Sequence, residues 1–292
     1  MKKTMKKIAS AFLAAALAAA SLTACGGGNS AAGTSAAGEN ADGKKVLKVA
    51  MECSYAPYNW TQPTDANGAV PISGSSDFAY GYDVMIAKKV ADQLGYELEI
   101  VKLDWDSLVP AVQAGTVDCV IAGQSITSDR LQSVDFTDPY YYATIVTLVK
   151  AGSKYENAKS VADLAGAVST SQINTIWYDG CLPQIPDGDI QPAHESVPAM
   201  LVALSSGRID LVVTDKPTGQ AALIAYPDFR LLDFTGTEGE FQVSEEDINI
   251  GVSLKKGNTE LKEAINGVLS EMNETDFDKM MEDAIAVQPL SN

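Results

Sequence analysis

The amino-acid sequence predicts an α/β protein of two similar lobes, on three observations. Short apolar, β-branched runs alternate with segments of helical period: 46–51, then a helix with Ile86, Val90 and Leu94 on one face, then alternation over 96–103. The stretch 108–123 aligns without gaps on 200–215, so that Gly115-Thr116-Val117-Asp118 meets Gly207-Arg208-Ile209-Asp210. Both copies read as apolar helix, capping glycine, Asp, buried strand and then polar residues. Thirdly, the apolar and aromatic run 140–149 reads as an extended crossover into a second lobe, with a return near 246–250. A chain of 292 residues, 46% hydrophobic and 20% charged, has the length and composition for two packed lobes.

The chain opens on a processing signal. Lys2, Lys3, Lys6 and Lys7 precede an apolar, alanine-rich run over 8–22 that is too short for a spanning helix. Leu22-Thr23-Ala24-Cys25 fits a lipoprotein cleavage box, so 1–24 is expected to be a lipoprotein signal peptide and Cys25 the lipidated first residue of the mature chain. Two acyl chains suffice for stable membrane anchoring. The segment 25–44, rich in Gly, Ala, Ser and Asn, is expected to be a flexible tether with a reach of roughly 20–25 Å.

Within the folded part, 46–51 reads as the first strand and 60–80 as a long loop. Asp83 reads as the N-cap of a helix closed by Gly95, and 105–114 as a short helix ending at Gly115. The run 117–122 has the signature of a short buried strand. In the second half, helices are expected over 172–178, 198–206 and 217–225, and a strand over 209–214. Two final helices, 258–272 and 277–285, are added back to the first lobe.

The chain is organised around 117–142, VDCVIAGQSITSDRLQSVDFTDPYYY. The buried strand releases into Gly123-Gln124-Ser125-Ile126-Thr127, with Thr127 as helix N-cap and Arg130 in the first turn. Ligands of open α/β sheets sit beyond the carboxyl ends of strands, so hydroxyls, free N–H groups and a guanidinium here suit a small anion. Arginine is scarce in this chain, with only Arg130, Arg208 and Arg230. If the two repeats are equivalent, Asp215 stands opposite Gly123 and Ser125 at the same kind of strand end. A cation and hydroxyls on one side and a carboxylate on the other have the polarity of a zwitterionic α-amino acid.

The motif also resembles a known family, the family 3 amino-acid-binding proteins of periplasmic type that feed ABC importers. The matching residues are Gly123, Ser125, Ile126, Thr127 and Arg130, followed by Asp135-Phe136-Thr137-Asp138-Pro139-Tyr140-Tyr141. Tyr55-Ala56-Pro57-Tyr58, Gly81-Tyr82-Asp83 and the run 161–166 are further landmarks, and the resemblance covers roughly 45–285. It implies a type II periplasmic-binding-protein-like fold: two lobes, each a mixed sheet flanked by helices, joined by two crossover hinge strands. The lobes are then expected at 45–142 plus 249–292 and at 143–248.

The resemblance also implies roles. Arg130, with Gly123, Ser125 and Thr127, would take the ligand α-carboxylate and Asp215 the α-ammonium. Tyr55 and Trp105 would sandwich the ligand side chain, with Tyr58 nearby, and Glu52 would reach a distal amide or amine. The family's second lobe usually adds a Gly-Thr pair; here the corresponding region is read as Ser169-Thr170-Ser171-Gln172, without glycine, so Gln172 stands in that place. Asp215 also suits a plainer role as N-cap of the helix that follows.

A net charge of −17 excludes a nucleic-acid partner and disfavours an anionic ligand. His194 is the single histidine and no cysteine pair has metal spacing, so neither metal nor cofactor is expected. A bridge between Cys53 and Cys181 stays open, while Cys119 reads as a core residue. The expectation is a non-enzymatic, monomeric, lipid-anchored binding protein on the outer face of the bacterial cytoplasmic membrane. It would capture a polar or cationic amino acid, with glutamine, histidine, lysine or arginine ahead of the branched aliphatics, and present it to an ABC permease. The alternatives are a cyclohexadienyl-dehydratase-like enzyme on the same fold, or an anchored sensor.

Overall fold

The run expected at 46–51 forms strand β1 (Val46–Met51) near the middle of a first sheet. The computed structural model describes residues 43–289, all within the unit Ser35–Asn292. The signal peptide, Cys25 and nearly all of the expected tether lie outside the described residues. After β1 come β2 (Ser54–Tyr55), β3 (Asn59–Gln62), β4 (Val70–Pro71), β5 (Phe78–Tyr80), α1 (Tyr82–Leu94), β6 (Glu97–Lys102), α2 (Leu108–Ala114), β7 (Cys119–Val120), α3 (Ser128–Ser133) and β8 (Val134–Phe136). Strand β9 (Tyr141–Tyr142) leads to β10 (Ile145–Lys150), β11 (Val168–Thr170), β12 (Asp189–Ile190), α4 (Val197–Ser205), β13 (Leu211–Asp215), α5 (Lys216–Ala225) and β14 (Phe229–Asp233). Then follow α6 (Glu245–Ile248), β15 (Asn249–Ile250), β16 (Ser253–Lys255), α7 (Thr259–Leu269) and α8 (Glu274–Val287).

Two mixed sheets result, in the orders β6-β1-β7-β16-β8 and β12-β11-β13-β10-β14. In the first, β6, β1 and β7 run parallel and β16 returns antiparallel. In the second, β12, β11 and β13 run parallel, with β10 and β14 antiparallel. The chain passes between them at β9 and β15, which pair antiparallel as Tyr142 with Asn249 and Tyr141 with Ile250. The two-lobed fold with two crossovers is therefore as expected.

The repeat is real in structure. Helix α2 ends at Gly115 and leads to β7, and helix α4, with Gly207 two residues beyond it, leads to β13; both glycines are left-handed, at φ 73° and 71°. The two aspartates do the same work: Asp118 Oδ2 accepts from Lys48 N of β1 at 2.8 Å, and Asp210 Oδ2 from Val168 N of β11 at 3.0 Å. Each ties the loop before its strand to the neighbouring parallel strand. Of the run 117–122 only Cys119–Val120 is laddered, although Val117 and 119–122 are buried.

Other expectations need correction. The stretch 60–80 is not a plain loop: β2, β3, β5 and β4 form a small sheet, with Trp60 and Tyr80 in edge contact at 5.4 Å. Its strands are two to four residues long and separated by Gly, Ser and Pro, so turn chemistry hid them. The N-cap of α1 is Gly81, not Asp83. At φ 130° a Cβ on Gly81 would stand 2.4 Å from Tyr58 O, so only glycine passes so close to that carbonyl. Residues 172–178 do not make one helix; the chain turns at Asn174, φ 56°, and winds as a wide turn over Trp177–Cys181. The return crossover begins helical, because Ser244 and Asp247 cap α6 reciprocally, and only Asn249–Ile250 is extended. Cys53, Cys119 and Cys181 are buried free thiols, so the question of a Cys53–Cys181 bridge is answered in favour of none. Burial pushes Cys53 and Cys181 up to about 12, which keeps both protonated and inert.

Candidate functional site

The cleft lies where the strand ends of both lobes meet, and its residues touch across it. Arg130 hangs from the first turn of α3, which Thr127 caps by accepting from Arg130 N at 3.3 Å. Its Nη1 donates to Ser125 O and its Nη2 to Asn174 O of the other lobe, both at 2.9 Å. The guanidinium lies over the Trp105 ring at 5.4 Å. No carboxylate among the described residues pairs with it. Burial draws Arg130 down to about 10, so it still carries its charge at neutral pH. A cavity of ≈ 350 Å³ opens beside it, lined by Thr127, Asp129, Asn174, Thr175 and Asp179 among others.

Across the cleft, Asp215 ends β13 and is buried. It performs the plain role as well: Oδ1 accepts from Thr218 N at 2.8 Å and caps α5. Its other oxygen accepts from Tyr55 Oη at 2.5 Å. Burial raises the Asp215 pKa, against the hydrogen bonds from Tyr55 and Thr218. Tyr55 stacks on Tyr58 at 4.6 Å, and Trp177 meets Tyr55 edge-on at 6.2 Å. Gly123, left-handed at φ 61°, lies flat against both tyrosines; a Cβ there would come within 2.7 Å of Tyr55 Cε1 and 3.3 Å of Tyr58 Cδ1.

Glu52 follows β1 directly and is only 5% exposed. It accepts from Ser54 Oγ at 2.8 Å and, across the cleft, from Gln172 Nε2 at 3.4 Å. Burial raises its pKa above the usual carboxylate value. Gln172 Oε1 and Tyr58 Oη are buried with no hydrogen-bond partner among the described residues. Beside Glu52 the cleft thus holds one acceptor, Gln172 Oε1, with no donor to match it, and a carboxylate with lone pairs to spare.

The expected residues gather here, with two differences. Trp105 packs under Arg130 and donates Nε1 to Ile173 O at 3.0 Å, while the ring partners of Tyr55 are Tyr58 and Trp177. The second-lobe segment facing Arg130 is 173–175 rather than 169–172: Ser169, Thr170 and Ser171 are buried beneath it, and only Gln172 reaches Glu52. Asn174 was missed, although it supplies Asn174 O to Arg130 and Nδ2 to Asp106 at 2.8 Å. The sequence carried a signal for it, since asparagine is one of the few residues that accepts a left-handed conformation where glycine is absent. Trp177 was missed for want of any periodic cue.

The sequence pattern of the bacterial extracellular solute-binding proteins, family 3, matches residues 47–284. A probable histidine-binding protein of Neisseria gonorrhoeae is 30% identical over 238 residues, 81% of each chain. An arginine-binding extracellular protein of Bacillus subtilis is 25% identical over 233 residues, 80% of this chain and 82% of that one. Among solved structures, an amino acid ABC transporter substrate-binding protein of Streptococcus pneumoniae bound to L-arginine superposes with a TM-score of 0.70 at 26% identity, covering 83% of this chain and 95% of that one. From the motif run at 123–141, the geometry of the cleft and the match over 47–284, the chain belongs to the bacterial extracellular solute-binding proteins, family 3.

Proposed function

We propose that the chain captures a cationic L-amino acid, arginine foremost, between its lobes and delivers it to an ABC permease without altering it. The observation that carries the ligand class is the acceptor-rich end of the cleft. Glu52 is buried with two hydrogen-bond donors and, among the described residues, no ion pair, Lys102 acting on it only through its field, and Gln172 Oε1 has no hydrogen-bond partner among those residues. A guanidinium offers five donors in a plane and would satisfy both groups, where glutamine offers two and a branched aliphatic none. The stacked Tyr55 and Tyr58 and the edge of Trp177 suit its stem and its charge. In this reading Arg130 takes the α-carboxylate, aided by the hydroxyls of Ser125, Thr127 and Thr175, and the α-ammonium binds Asp215 beside Tyr55. Of the relatives above, one is an arginine-binding protein and another was solved with L-arginine bound.

The same reading extends to the whole chain: signal peptide 1–24, lipidated Cys25, tether 25–44, one lobe of 45–142 plus 249–292, the other of 143–248. The folded part would hang from the outer face of the cytoplasmic membrane. Membrane retention of a processed Cys25→Ser chain would place the anchor elsewhere.

The test of the ligand is a thermal-shift screen of the twenty amino acids. A cognate ligand at a hundred times its Kd adds about 2.7 kcal/mol to stability. Arginine should give the largest shift and be recovered chemically unchanged. Glu52→Gln should weaken arginine by roughly 10- to 150-fold, the worth of a charge-assisted hydrogen bond, and bring glutamine closer to it. Glutamate as the tightest ligand, or an unchanged order in Glu52→Gln, would overturn this reading.

A further inference from the structure

Both loops that build the first-lobe half of the cleft are fastened to one carboxylate that touches neither ligand charge. Asp83, in the first turn of α1, is fully buried. Its Oδ2 accepts from Asn59 Nδ2 at 2.7 Å, and Asn59 Oδ1 accepts from Cys53 N at 2.7 Å. Its Oδ1 accepts from Tyr140 Oη at 2.7 Å, and that hydroxyl oxygen accepts from Gly123 N at 3.1 Å. The two arms are alike: a carboxylate oxygen, one intermediary side chain, one backbone N–H. Because a carboxylate only accepts, each intermediary must turn its donor inward and its acceptor toward the site loop. One arm holds Cys53, between Glu52 and Tyr55; the other holds Gly123, the flat surface on which Tyr55 and Tyr58 rest.

The geometry points to Asp83 as a positioning residue for amino-acid binding, which orients the Glu52–Tyr58 and Gly123–Thr127 loops through Asn59 and Tyr140. The inference rests on the reading of the cleft as the amino-acid site, but not on which amino acid enters it. It makes the ionised state of Asp83 the binding state. A protonated Asp83 keeps a single good acceptor and turns a donor toward Asn59 or Tyr140, so one arm must give way. The titratable groups around it are Cys53, Tyr55 and Tyr58 from the first loop, Tyr82 beside it, Tyr140, and Asp215 from the far lobe. The thiol and phenols are all raised by burial and stay neutral, so the charge Asp83 feels is that of Asp215. Burial, with that repulsion adding to it, pushes Asp83 from its ordinary 3.8 up to about 6. An ammonium on Asp215 removes the repulsion and favours the ionised form.

Two pH trends of opposite sign follow. In the free protein the raised carboxyl favours the fold as pH falls from about 7 toward 4, because the native state then binds the extra proton. Affinity moves the other way: as pH falls from 7 to 5 through the value of about 6, ionised Asp83 is depleted and binding weakens by up to about tenfold. Arginine does not titrate in this window. Asp215 and Glu52 add their own dependence, which remains in an Asp83 variant, so the difference between parent and variant isolates Asp83.

The experiment uses the full chain, Asp83→Asn and Tyr140→Phe. It measures the arginine Kd by calorimetry from pH 5 to 7, melting over the same range, and amide exchange at Gly123 and Cys53 by NMR in the free protein. Tyr140→Phe should speed exchange at Gly123, leave Cys53 unchanged, and weaken arginine by about 5- to 150-fold, the effect of orphaning a buried N–H. Asp83→Asn should flatten both pH trends, since an asparagine does not titrate, and should weaken arginine, since its amide replaces one of the two acceptor oxygens with a donor. If Asp83→Asn fails to fold, Tyr140→Phe carries the exchange and affinity readouts. If the parent prefers another of the twenty amino acids, the arginine reading falls alone and the variants are titrated with that ligand. Unchanged Gly123 exchange in Tyr140→Phe, a Kd within twofold of the parent, or a parent-like pH profile in Asp83→Asn overturns the proposal.

Discussion

At the scale of single residues, the charges of the site and the rings of Tyr55 and Tyr58 were legible, and Trp177 was not. Arg130 and Asp215 stand at strand ends, and strand ends follow from apolar runs and caps that a sequence displays. Glu52 was readable for the same reason, since it follows β1 without a gap. Whether it faced solvent or the cleft was not readable, and its burial decides for the cleft. Trp105 was expected against the ligand beside Tyr55; its ring lies 5.4 Å from the Arg130 guanidinium and its Nε1 donates to Ile173 O of the other lobe, contacts no sequence pattern displays. Arg130 should dominate affinity. Removing one partner of a buried charge pair costs about 2–5 kcal/mol, so Arg130→Ala is expected to weaken arginine by roughly 30- to 4000-fold in calorimetry. A loss smaller than threefold would mean that the carboxylate docks elsewhere. The melting temperature of the free variant should change little by comparison, since the side chain's own partners are two carbonyl oxygens that water can also serve.

At the scale of elements, long periodic pieces came through and short ones did not. Strand β1 and helices α1, α4, α5 and α7 lie within three residues of their expected ends, the helices with a glycine, proline or capping side chain as punctuation. The sheet inside 60–80 and the turn at Asn174 escaped, because strands of two to four residues carry too little pattern to outweigh the Gly, Ser and Pro between them. The twin units α2–β7 and α4–β13 show the reverse case, where comparing the chain with itself exposed a shared device. Asp118 and Asp210 each serve one backbone N–H of the neighbouring parallel strand, in separate sheets. Replacing either with Ala should destabilise the fold by about 1.5–3 kcal/mol in urea unfolding. The double variant should lose the sum to within about 0.5 kcal/mol, because distant sites with no shared partner act independently. A near-zero cost for one member alone would show that the two units are alike in form but not in load.

At the scale of the whole molecule, the lobes meet through a small set of polar contacts: Tyr55 with Asp215, Glu52 with Gln172, Arg130 with Asn174, Trp105 with Ile173 and Asp106 with Asn174. The connection that remains when these part is slender, the two-residue strands β9 and β15 and the end of α8, where Gln288 Nε2 donates to Ala221 O at 3.3 Å. A ligand held by Arg130 on one side and Asp215 on the other adds binding energy only when both lobes reach it, so it must favour the closed arrangement over the open one. Asp215 matters most to that balance. With no ammonium present its charge is met by one phenol and one backbone N–H, and burial raises its pKa, which makes the unliganded closed form costly. Two open-to-closed populations separated by a few kcal/mol would then shift almost completely on binding. The expected outcome in solution scattering is a smaller radius of gyration with saturating arginine than without it, with hinge motion at 141–144 and 246–250. Asp215→Asn removes the buried charge, so its unliganded form should already scatter as the more compact species while binding arginine weakly. Equal radii for the parent with and without ligand would mean that the cleft closes before the ligand arrives, and that affinity is set within a preformed site.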